Sequence, residues 1–115
     1  MGRRNRQREK LRAPVADYHG PENSVLSLRG SLPPAARREY TDTLRGGLDR
    51  DDAEQRALEL LFERLAVSWT ISELPISRQR ELLQRYRLAS SQERDFVRES
   101  LRTHAAEHFP ELELP

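Results

Sequence analysis

A chain of 115 residues has room for one domain around one core. It contains no cysteine, which excludes a disulfide framework, a thiolate metal site and a cysteine nucleophile, and no apolar run approaches the ~20 residues that span a bilayer. The net charge of +1 hides an asymmetry: in residues 1–12, Arg3, Arg4, Arg6, Arg8, Lys10 and Arg12 face only Glu9, so a segment of +5 precedes a remainder of −4.

Residues 1–23 read as a basic flexible arm and linker. The arm has no aromatic residue to stack on bases, so it is either solvated or bound to phosphates or to an acidic protein face. No hydrophobic stretch follows it, so it does not read as a secretory signal, and the expected location is cytoplasmic. Lys10 is the sole lysine among the cations, a bias that points to a GC-rich bacterial or phage genome. Pro14, Gly20 and Pro21 punctuate the linker, within which Tyr18 can dock on a partner or on the body. A single helical domain is expected over 24–110, with 111–115 a frayed tail.

Val25, Leu26 and Leu28 give a short strand over 24–29, stopped by Gly30. Pro33-Pro34 opens a first helix to about Leu44, with Ala36, Tyr40 and Leu44 on one face and Gly46-Gly47 closing it. Asp51 and Glu54 have capping-box spacing for a second helix, whose inward face is Ala57, Leu58, Leu61, Phe62 and Leu65. Val67, Trp69 and Ile71 then alternate with Ser68 and Thr70. That period predicts a strand over 67–72, although Trp69 also continues the helical stripe from Leu65. Pro75 breaks the chain before a third helix, 77–87, capped by Ser77 with Leu82, Leu83 and Tyr86 inward. Ser90 and Glu93 form a capping box for a fourth, with Phe96, Val97, Leu101, Ala105 and Phe109 inward. The last two helices make an αα-hairpin. The fold class expected is mainly α: four helices, with strands 24–29 and 67–72 able to pair as a two-stranded ribbon.

One string looks catalytic. His104, Glu107 and His108 spell H-x-x-E-H, which on a helix can place two imidazoles on zinc. A catalytic zinc needs a third protein ligand and a cleft, and two histidines near a helix C-terminus also suit the dipole. No catalytic residue, metal site or cofactor is therefore expected. Arg78, Arg80, Arg85 and Arg87 make the third helix basic, and Arg94, Arg98 and Arg102 form a stripe on the fourth. That admits helix-turn-helix contact with nucleic acid. Glu93, Asp95, Glu99 and Glu107 on the would-be recognition helix oppose it.

The run Val25-Leu26-Ser27-Leu28-Arg29-Gly30, then Val67-Ser68-Trp69-Thr70-Ile71 and Leu74-Pro75-Ile76 ahead of a helical hairpin, resembles small tail assembly chaperones of long-tailed bacteriophages over about residues 24–109. The resemblance implies a non-enzymatic protein that binds apolar surface of an unassembled tape-measure or tail component. The expected function is thus a protein-binding adaptor or assembly chaperone, with Trp69, Ile71, Leu74 and Ile76 burying partner surface and Arg78 and Arg85 orienting it. The alternative is a nucleic-acid-associated regulator using Arg3, Arg4, Arg6, Arg8, Lys10 and Arg12 with helix 77–87. Neither reading needs a membrane, and neither fixes an oligomeric state.

Overall fold

The computed structural model describes residues 14–115. In chain order it has β1 Val15–His19, a 3₁₀ turn Pro21–Asn23, β2 Val25–Arg29, α1 Pro34–Arg45, α2 Arg50–Leu65, β3 Ala66–Ile71, β4 Leu74–Ile76, α3 Gln79–Arg87 and α4 Ser91–His108. The four strands form one antiparallel sheet in the order β1-β2-β3-β4. The fold is α+β, which corrects the mainly α expectation. The ribbon of 24–29 with 67–72 exists as the central β2–β3 pair, but β1 and β4 extend it on either side. Both were hidden for a physical reason. β1 lies in the span read as linker, bracketed by Pro14 and Gly20-Pro21, and turns only Ala16 and Tyr18 inward. β4 has three residues and contains Pro75, tolerable only at a sheet edge.

The helices cover one face of the sheet. Leu26 and Leu28 of β2 are fully buried while Val25 before them and Ser27 between them are half-buried, the alternation of a sheet with one packed face. Against that face lie Tyr40 of α1, Ala57, Leu58, Leu61, Phe62 and Leu65 of α2, Leu82 of α3, and Val97, Leu101 and Ala105 of α4. Each large side chain so buried contributes about 1.5–3 kcal/mol before chain entropy is charged.

Helix α2 passes into β3 with no loop, so the period changes at Ala66 as the alternation of Val67, Trp69 and Ile71 predicts. Val67 is the extra residue of a bulge: Leu28 pairs with Ala66 and Ser27 with Ser68, leaving Val67 unopposed. Two helix starts differ from expectation. The cap of α2 is Asp49, whose Oδ1 accepts from the Asp51 and Asp52 amides at 3.0 and 3.4 Å, because the helix begins before Asp51. The cap of α3 is Arg78, not Ser77, and has no side-chain bond. The Ser90–Glu93 capping box of α4 is present, with reciprocal bonds of 3.2 and 2.9 Å.

The tail is docked rather than frayed. Tyr40 Oη donates to the Glu113 carbonyl at 2.6 Å, Arg102 to the Pro115 carbonyl at 2.7 Å, and Arg37 pairs with Glu111. Leu112 and Leu114 pack on the core. Burial, with Glu113 and Glu54 nearby, pushes the Tyr40 phenol up to about 12.

Candidate functional site

The antiparallel order puts the β1–β2 and β3–β4 turns at the same end of the sheet. Both are type I′ turns, whose two central residues need positive φ and favour Asn-Gly. Here they are Glu22-Asn23, at φ 56° and 60°, and Ser72-Glu73, at 51° and 66°. Four non-glycine residues in left-handed conformations at one end of a small sheet are strained backbone, which concentrates at binding sites. Between these turns and the start of α4 lies a cleft of about 300 Å³. Ile71 and Phe96 supply apolar wall, Glu22, Arg85 and Glu93 the charges, and Trp69 part of the lining. Gly20 lets the β1–β2 turn close on this wall, since a Cβ there would meet the Phe96 ring at 2.7 Å.

Trp69 is central to this end of the molecule. It is 1% exposed, with Phe62 edge-on at 5.9 Å between ring centroids and the Arg85 guanidinium 5.6 Å from its ring. Its indole Nε1–H is the one buried side-chain nitrogen or oxygen, among the described residues, with no hydrogen-bond partner. Such a group costs about 1–3 kcal/mol of desolvation. Arg85 in turn pairs with Glu93, whose carboxyl is held below its usual range first by the Ser90 amide and then by Arg85. A larger groove of about 490 Å³ runs between the Gly46–Leu48 loop and the tail, but no unpartnered buried polar group lines it.

The residues expected to form a binding patch therefore separate. The β3–β4 register pairs Trp69 with Ile76 and Ile71 with Leu74, so all four share one face. That is the helix-covered face. Trp69 is core and reaches the surface only as part of the cleft lining, Ile71 and Ile76 are half-buried, and Leu74 is 71% exposed. Arg85 joins Trp69 and Ile71 at the cleft, while Arg78 is exposed and does not line it. Glu22, Asn23, Ser72 and Glu73 were not anticipated as site residues. The signal available was the two-residue gap between apolar Ile71 and Leu74.

His104 of the H-x-x-E-H string is fully buried with both ring nitrogens engaged. Nε2 donates to the Arg29 carbonyl at 2.8 Å, which leaves Nδ1 to accept from Tyr18 Oη at 2.8 Å. The imidazole thus ties α4 to β1 and β2. Burial holds its pKa below the usual histidine value, and the neighbouring His108, 4.4 Å away between centroids, pushes the same way. Tyr18 is raised by burial and by Glu107.

Several arginines of the basic helices are used internally. Arg87 pairs with Glu59 and Arg102 with Glu99, each at 2.8 Å, and Arg94 donates to the Arg87 carbonyl while lying over Tyr86. Arg3, Arg4, Arg6, Arg8, Lys10 and Arg12 lie outside the described residues. No described helix is long and apolar enough to cross a membrane. No family model, curated protein or solved structure matches the chain.

Proposed function

We propose that the chain is a non-enzymatic protein-binding adaptor or assembly chaperone whose contact surface is the turn end of the sheet. The observation that carries this reading is Leu74: a leucine 71% exposed beside a cleft, flanked by half-buried Ile71 on the same face. A large apolar side chain held out by a strained turn next to a concavity is the anchor-and-pocket arrangement that concentrates binding energy. The resemblance to phage tail assembly chaperones gives the partner class, apolar surface of an unassembled tail component. On this reading the partner contacts Leu74 and Ile71, with Trp69 shaping the cleft from beneath.

The test is capture by the immobilised full chain at low and high salt, with both protein and nucleic acid identified. A protein retained at high salt by the wild type and by Leu88→Asp, and lost with Leu74→Asp, is the expected result. Leu88 is 81% exposed at the end of α3 and serves as the control. Equal capture by Leu74→Asp, or capture of nucleic acid alone that salt releases, would overturn the reading.

A further inference from the structure

The cleft between the two type I′ turns has a more specific chemistry than an apolar patch. Trp69 is part of its lining, and the indole N–H of that residue is a buried donor with no partner among the described residues. Indole nitrogen donates and never accepts, so the missing partner is an acceptor. The charged groups are Glu22, Arg85 and Glu93, a formal −1 in which Arg85 is already paired with Glu93. An anionic ligand meets two carboxylates, whereas a neutral acceptor accompanied by a cation finds Glu22 with no hydrogen-bond partner among the described residues. Ile71 and Phe96 give an apolar wall beside it. The volume, about 300 Å³, is the lower end for a ligand cleft and suits a few residues rather than a folded element.

We propose that this cleft binds a short peptide segment of the partner protein that presents a backbone carbonyl to Trp69 Nε1–H, an apolar side chain to Ile71 and Phe96, and a cation to Glu22. The proposal rests on the protein-binding reading above. Arg85 is the gate. Its guanidinium lies over the Trp69 ring and pairs with Glu93. Glu93 is independently held by the Ser90 amide at 2.9 Å, so Arg85 can swing away without undoing the cap of α4. That movement frees the face of the Trp69 ring and widens the cleft beside it for the incoming segment.

Trp69 is the sole tryptophan, so ¹⁵N-labelled full chain has one indole N–H resonance. The probes are acetyl-Leu-Arg-Leu-amide, acetyl-Leu-Gln-Leu-amide and acetyl-Leu-Glu-Leu-amide at millimolar concentration. The Arg peptide is expected to shift the indole N–H together with Ile71 and Phe96 signals. It should bind roughly 2- to 5-fold tighter than the Gln peptide, the range of an exposed ion pair, with the Glu peptide weakest. Glu22→Gln should erase that preference while keeping the indole shift. Replacing Trp69 by its isostere β-(3-benzothienyl)alanine, which lacks the N–H, should abolish binding by all three while leaving the thermal midpoint no lower. Equal binding of the Glu peptide, or wild-type binding by the isostere, would overturn the proposal. If Leu74-dependent partner capture succeeds while no peptide moves the indole signal, the cleft assignment falls and the protein-binding reading stands.

Discussion

Replacing Glu73 by glycine should stabilise the protein. Ser72-Glu73 is a two-residue connection between paired Ile71 and Leu74, with Glu73 at φ 66°. A non-glycine residue in the left-handed region costs about 1–2 kcal/mol from its Cβ. Glycine removes that cost but adds about 0.4–1 kcal/mol of unfolded-state entropy. The net gain for Glu73→Gly is therefore about 0.5–1 kcal/mol, which for a domain near 100 residues raises the melting temperature by roughly 3–6 °C. Asn23→Gly should gain less, because asparagine tolerates this region. Glu73→Ala is the control: it removes the carboxylate but keeps the Cβ, so it should not stabilise. The assay is calorimetric melting with urea unfolding, requiring a shifted midpoint at constant m. If Glu73→Ala stabilises as much as Glu73→Gly, the effect is charge and not backbone. A lowered midpoint for Glu73→Gly would refute the turn argument itself.

Three further outcomes follow from particular contacts. His104 has a depressed pKa in the fold, so between that value and its unfolded value near 6.5 the unfolded chain binds more protons. Its contribution is full above about pH 6.5 and is lost as pH falls toward the folded value; urea midpoints from pH 8 to 5 should decline, and His104→Gln should start lower and decline less. Asp17 is exposed on the β1 edge, its carboxylate taken by Ser27 Oγ at 2.6 Å, and no described residue pairs with the outer side of that strand. Asp17→Val removes the charge that deters strand addition and should raise concentration-dependent self-association in sedimentation. Deleting residues 111–115 removes two half-buried leucines and the Tyr40–Glu113 bond and should cost about 2–3 kcal/mol in urea unfolding, where a frayed tail would cost nothing.

The parts legible in the sequence were those with long or strongly punctuated patterns. The four helices announce themselves through Tyr40, Leu61-Phe62, Leu82 and Leu101, and the Ser90–Glu93 box fixes the start of α4 to the residue. The switch to strand at Ala66 is readable because Val67, Trp69 and Ile71 alternate. The outer strands were not, because an edge strand needs little inward hydrophobicity. In β1 the inward residues are Ala16 and Tyr18, and the anchor of Tyr18 is His104, 86 residues away. The same long-range bond explains why a zinc-like string turned out to hold two elements together. Trp69 stands out in the sequence as the sole tryptophan, but periodicity cannot say which side of a strand a helix will cover. Its burial moved the exposed role to Leu74.

The most direct test of the central claim is photocrosslinking with p-benzoylphenylalanine placed singly at Leu74, Leu88 or Val15 of the full chain, in cells that carry its partner. All three positions are exposed, so none should disturb the fold. A discrete protein adduct at position 74, absent at 88 and 15 and lost when Ile71 is also changed to Asp, is the result expected of a partner surface at the turn end. Adducts at 88 or 15 with none at 74 would contradict it.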